Sequence, residues 1–266
     1  MARFPSNDAT GTAVNKNDAL IAGAKALIDA GEAAGLSLRL LGGLAVQLTC
    51  PSSNNPPFKR TCSDADCVVV ADPGAVQAFI LSQGWTADAE FNLYNGDRRL
   101  LFTSPEGNKL DVFIKIFSMC HDFDFTARLP SQGYTVYPAD LVLTKLQIHE
   151  VNEKDLQDAA CVFLDFDIAD NDVGSDPGGA GINASYIAGL CAADWGLQYS
   201  LVSNLKKTVA WTDLAGLGAA RAGTIHHRIE DLVARIHGQK KSLAWRSRAM
   251  VRAKLKWFQE VEEVDR

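Results

Sequence analysis

Ser63-Asp64-Ala65-Asp66 runs straight into the apolar stretch Cys67-Val68-Val69-Val70. Side chains two apart on a strand point to the same side, so Asp64 and Asp66 are expected to project together from the head of a strand. Two close carboxylates repel unless something positive lies between them. A divalent cation is the usual solution, and an oxygen-only donor set suits Mg2+ or Mn2+. A solvated turn ahead of a strand is the simpler alternative for so short a pattern.

Two further stretches bear on that choice. Lys109-Leu110-Asp111-Val112-Phe113-Ile114 places one carboxylate inside an alternating strand. An acid among apolar neighbours is costly unless it has a partner, and a metal shared with Asp64 and Asp66 would be one. Leu40-Leu41-Gly42-Gly43-Leu44-Ala45-Val46 reads as strand, two glycines, helix. Glycines let the backbone approach a ligand closely, and a helix N-terminus favours anions, which suits a triphosphate. Neither the Walker pattern nor G-x-G-x-x-G is present, so a P-loop ATPase and a dinucleotide-binding dehydrogenase are not supported.

Together these motifs resemble the nucleotidyltransferase superfamily, the DNA polymerase β-like fold. Its order is apolar-Gly-Gly, then Asp-x-Asp opening the next strand, then a third Asp on a later strand: here Gly42-Gly43, Asp64/Asp66 and Asp111. Arg60-Thr61-Cys62-Ser63-Asp64-Ala65-Asp66 is similar to the R-x-[ST]-x-D-x-D form of small bacterial members such as AbiEii-type toxins and antibiotic nucleotidyltransferases. Pro138 to Leu146, followed by Glu153-Lys154-Asp155-Leu156-Gln157-Asp158, resembles their P-x-D-L-L-x-x-K-L and K-D-x-x-D helices. The resemblance covers residues 36–166. It implies a mixed-sheet α+β core and transfer of a nucleoside monophosphate from an NTP to a hydroxyl. Asp64, Asp66 and Asp111 would hold Mg2+ or Mn2+, with Asp111 as general base. Gly42, Gly43, Arg60, Ser63 and Lys145 would contact the nucleotide. The twenty residues between Gly43 and Asp64 imply an insertion at Pro51–Lys59, beside the site.

The organisation along the chain predicts a loose arm over 1–17 and a core with its following helices over 18–170. A Gly/Asp/Pro-rich linker follows, then a helical domain over 182–266. Asp18 is expected to cap the first helix. Trp85–Tyr94 and Arg98–Thr103 read as a hairpin through Asn95-Gly96. The last helix is expected to run from 241 to 259 with Leu243, Met250, Val251, Leu255 and Phe258 on its apolar face.

Charge divides the chain unevenly. Residues 1–200 hold 13 Lys/Arg against 25 Asp/Glu, whereas residues 201–260 hold 12 against 4. The acidic part suits a cationic small acceptor such as an aminoglycoside. The basic part suits RNA, or pairing with the acidic part of the same chain. The acceptor is therefore a small molecule in the favoured reading and tRNA or a protein in the alternative. A non-catalytic nucleotide-binding or antitoxin-like partner is a third. No window reaches the roughly 20 apolar residues of a membrane helix. The first 18 residues lack an apolar stretch of signal-peptide length. The six cysteines contain no C-x-x-C, which implies a cytoplasmic protein with reduced thiols.

Overall fold

A computed structural model of the chain describes residues 16–173 and 179–261. Internal contacts divide it into two compact units. The first comprises Met1–Thr49, Arg60–Ser118 and Asp122–Val136, and the second Cys50–Lys59, Met119–His121 and Tyr137–Arg266. The mixed-sheet α+β class expected from the motifs is the class observed.

The first unit opens with helix α1 (Lys16–Ala33), strand β1 (Leu38–Leu41), helix α2 (Gly42–Thr49), strand β2 (Asp64–Val69) and helix α3 (Pro73–Ser82). Strand β3 (Thr86–Ala87), helix α4 (Ala89–Asn95), β4 (Arg99–Thr103), β5 (Lys109–Ile114), β6 (Ile116–Ser118) and β7 (Asp122–Asp124) complete it. Five strands form one sheet in the order β1-β2-β5-β4-β3. Only β2 and β5 run parallel; the other three pairs are antiparallel. Leu20, Ala24, Leu27 and Ile28 of α1 are buried, as their one-face spacing requires.

Two local expectations are corrected. Residues 1–15 of the expected arm lie outside the described residues, but Lys16 and Asn17 belong to α1. Asn17 is almost fully buried, with its side chain accepting from the Cys62 amide (2.8 Å) and donating to the Arg60 carbonyl (2.7 Å). The expected hairpin keeps its outer pairing, Thr86 with Thr103, but its middle is α4. Asp88 caps that helix by accepting from the Phe91 amide, and Asn92 bonds both backbone groups of Leu101. Those side-chain bonds satisfy the segment better than a second strand would.

The second unit contains α5 (Pro138–Leu146), α6 (Glu153–Asp165), the short parallel pair β8 (Ile168–Ala169) and β9 (Ile182–Asn183), α7 (Ala184–Ala193), α8 (Trp195–Leu214), α9 (Ala219–Gly238) and α10 (Leu243–Val251). Ile225, Ile229, Leu232 and Ile236 form the buried stripe of α9. Of the expected linker, residues 174–178 lie outside the described residues, while Val173 bridges to Ala180 on either side of them. Cys50–Lys59 begins with a 3-10 turn at Pro51–Asn54. It packs on α6 and α8 within this unit: Gln157 donates to the Pro57 carbonyl, and Phe58 meets Trp211 at 5.9 Å.

The last helix is shorter than expected. It ends at Val251, and Arg252–Lys254 is a 3-10 turn. Leu243, Met250 and Leu255 are exposed rather than packed on an apolar face. Trp257 instead turns into a cluster with His149, Trp195 and Tyr199. Arg248 donates to the carbonyls of Arg252 and Leu255 (both 2.6 Å), satisfying the groups a continuing helix would have used. Burying the large aromatic faces outweighs two more helical turns.

Candidate functional site

The parallel register of β2 and β5 sets Asp66 directly opposite Asp111, and Asp64 opposite Lys109. Strand alternation then puts Asp64, Asp66 and Asp111 on one face of the sheet. Asp64 and Asp66 are half-buried and Asp111 is buried. β1 runs antiparallel to β2 with Leu41 opposite Asp66, so the chain enters α2 beside that carboxylate. Gly42 has φ +71, which any other residue adopts at a cost, and a Cβ there would overlap Asp66 Oδ2. A Cβ on Gly43 would overlap the Arg60 guanidinium. The two glycines are thus what let Asp66 and Arg60 lie against the first turn of α2.

Gly42→Ala is expected to lose about 1–2 kcal/mol to the left-handed backbone alone, and more through the clash with Asp66. Gly35→Ala separates the two terms. Gly35 has φ +76, yet an added Cβ there meets nothing within 4 Å. Urea midpoints should place Gly42→Ala well below Gly35→Ala.

Arg99 is a feature that sequence reading missed. Its Nε donates to Asp111 Oδ1 (2.9 Å) and its Nη2 to Oδ2 (2.6 Å). The pair is nearly dry, with the two side chains 13% and 4% exposed. Arg99 sits opposite Phe113 on β4, two residues from the position opposite Asp111, so the two meet diagonally across adjacent strands. Its guanidinium also lies 5.0 Å from the Phe113 ring centre. The Asp97-Arg98-Arg99 sequence carries two arginines, and only strand register says which one faces Asp111.

Ser63 donates to Asp64 Oδ1 at 3.3 Å. The Asn17 bonds to Arg60 and Cys62 fix the backbone that leads into Asp64. Among the described residues, the Cys50 and Cys161 thiols and an Asp165 carboxylate oxygen of the second unit lie within 4.8 Å of one another.

Lys145 lies in the second unit on α5. Its ammonium is within 2.9 Å of both Asp155 and Asp158, and Asp158 is fully buried. These three residues form an ion cluster between α5 and α6.

No family model matches the chain, and no curated protein matches it. Several solved structures show similarity, among them the following two. One is the antibiotic-resistance factor ANT(2'')-Ia in solution, at 11% identity over 56% of this chain and 84% of that one, with a TM-score of 0.37. The other is a crystal structure of an antigenic nucleotidyltransferase-like protein from Paracoccidioides brasiliensis. It shows 13% identity over 85% of this chain and 95% of that one, with a TM-score of 0.39. Among the described residues no helix is long and apolar enough to cross a membrane, and all six cysteines are buried and unbridged.

Proposed function

We propose that the chain moves a nucleoside monophosphate from an NTP to a hydroxyl acceptor, with Mg2+ or Mn2+, and that a small molecule is the favoured acceptor. The observation that carries this reading is the register of Asp66 against Asp111, with Asp64 on the same face and Gly42 against Asp66. The donor set is all oxygen and lies beside a backbone that only glycine leaves open, which fits a hard divalent cation. When bound, such a cation would neutralise triphosphate charge and lower the pKa of the acceptor hydroxyl.

Asp64 and Asp66 serve as its ligands in this reading. Asp111, on the same face, would receive the hydroxyl proton in this reading. The Gly42 and Gly43 amides at the start of α2, with Arg60 and Ser63 nearby, would hold phosphate oxygens. Lys145, expected to contact the nucleotide, is paired with Asp155 and Asp158 within the second unit. The acidic balance of residues 1–200 supports a cationic acceptor.

One observation favours a macromolecular acceptor as the second reading. Arg246, Arg252 and Lys254 are exposed and form no ion pair among the described residues, so the expected pairing with the acidic part of the chain does not use them. Incubation with each α-32P-labelled NTP and Mg2+, against aminoglycoside, tRNA and protein pools, tests both readings. Label on a small molecule is the expected result. Label on tRNA or protein selects the second reading, and no transfer to any pool overturns both. If tRNA is labelled, neutralising Arg246, Arg248, Arg252, Lys254 and Lys256 together should weaken its binding. The slope of log affinity against log salt should then flatten by roughly 0.7–0.9 for each phosphate the variant no longer neutralises.

A further inference from the structure

The cysteine spacing in the sequence points to no common zinc module. The fold regroups the thiols. Cys50 directly precedes the 3-10 turn Pro51–Asn54, and Cys161 and Asp165 lie four apart on α6, hence on one helix face. The Cys50 Sγ, the Cys161 Sγ and an Asp165 carboxylate oxygen all lie within 4.8 Å of one another. Both thiols are fully buried and Asp165 is half-buried. All three belong to the second unit.

We propose that Cys50, Cys161 and Asp165 form a binding site for a thiophilic divalent cation of the Zn2+ class. Two sulfurs and one oxygen make a soft-leaning donor set of the kind Zn2+ takes, with one position of a tetrahedron left for water. Donors on a tetrahedral Zn2+ stand about 3.5–3.8 Å apart, so the three atoms close by at most about 1.3 Å.

A second observation concerns the carboxylate. The Ser52 amide donates to Asp165 Oδ2 at 2.8 Å and the Ser52 hydroxyl to Oδ1 at 2.5 Å. Both bonds come from one residue and fix the plane of the carboxylate while leaving each oxygen a lone pair. This is how outer partners orient metal-binding side chains. It also ties the Cys50 turn to α6, so the third donor arrives on the segment that positions the second.

The electrostatics suit a cation. Two buried thiolates within 4.8 Å of the Asp165 carboxylate would repel one another unless a cation lay among them. Binding is balanced as two thiols exchanging two protons, released to solvent, for two bonds to the cation, with no change of oxidation state.

The test uses the reduced, chelator-treated full chain and no nucleotide, so it stands apart from the transfer assay. Zn2+ titration should saturate at one ion per chain with release of about two protons. Co2+ should give a thiolate charge-transfer band. Cys50→Ser and Cys161→Ser should each abolish that band, and Cys191→Ser should keep it. Ser52→Ala retains both thiols and should weaken affinity about 10–100-fold, which keeps the test open if a cysteine variant fails to fold. No saturable binding, or a band that survives in folded Cys50→Ser and Cys161→Ser proteins, overturns the proposal. So does a Cys50–Cys161 disulfide in a protein that binds no metal when reduced.

Discussion

Asp64→Asn and Asp66→Asn are each expected to lower Mg2+-dependent nucleotidyl transfer by at least about 10²–10³-fold, the cost of removing one electrostatic stabiliser of a transition state. Both changes keep side-chain shape and remove charge, so circular dichroism and the urea midpoint should stay close to wild type. The reason is positional: the two residues stand at the head of β2 on the face shared with Asp111, half-buried rather than packed in the core. Equal transfer rates in wild type and both variants would sink the mechanism. Loss of transfer with loss of fold would instead assign these carboxylates to structure.

Arg99→Leu should be the most destabilising single change in the first unit, costing about 3–5 kcal/mol. It strands the buried Asp111 carboxylate without its bidentate partner. Arg99→Lys should recover only part, because an ammonium cannot make two parallel bonds to one carboxylate. Replacing both partners, Arg99→Leu with Asp111→Leu, should bring stability back to within about 1–2 kcal/mol of wild type, since well-packed apolar pairs often substitute for buried ion pairs. Transfer activity should not return with it if Asp111 receives the hydroxyl proton. Denaturant midpoints and transfer rates on wild type, Arg99→Leu, Asp111→Leu, Arg99→Lys and the double leucine variant separate the two roles. An additive double variant would show that the pair is not coupled.

Residues whose meaning depends on near neighbours in the chain were the legible ones. The Asp64-Ala65-Asp66 alternation, the Asp111 strand and the Gly42-Gly43 junction announce a strand-and-turn geometry because period two and glycine act over a few residues. The same holds for the Pro138 and Glu153 helix starts. Asn17, Arg99 and the Cys50–Cys161–Asp165 group were not legible. Each acts over a large separation or through strand register: Asn17 on Arg60, Arg99 diagonally on Asp111, Cys50 on Cys161 more than a hundred residues later.

The misread segments follow the same division. The 85–95 stretch carries strand-like residues and a turn dipeptide, yet the Asn92 bonds to Leu101 hold it as a helix. The 252–258 stretch carries helical spacing, yet the aromatic surface of Trp195 and Tyr199 captures Trp257 and ends the helix. In both, a contact absent from the local sequence was worth more than the local preference it displaced.

The sequence by itself therefore determined an α+β chain with a row of strand carboxylates behind a diglycine junction, since those depend only on backbone periodicity. The tertiary structure alone decided what each buried charge is paired with. Pairing energies fall steeply with distance, and it is the closing of β4 on β5, and of α5 on α6, that brings Arg99 to Asp111 and Lys145 to Asp155 and Asp158.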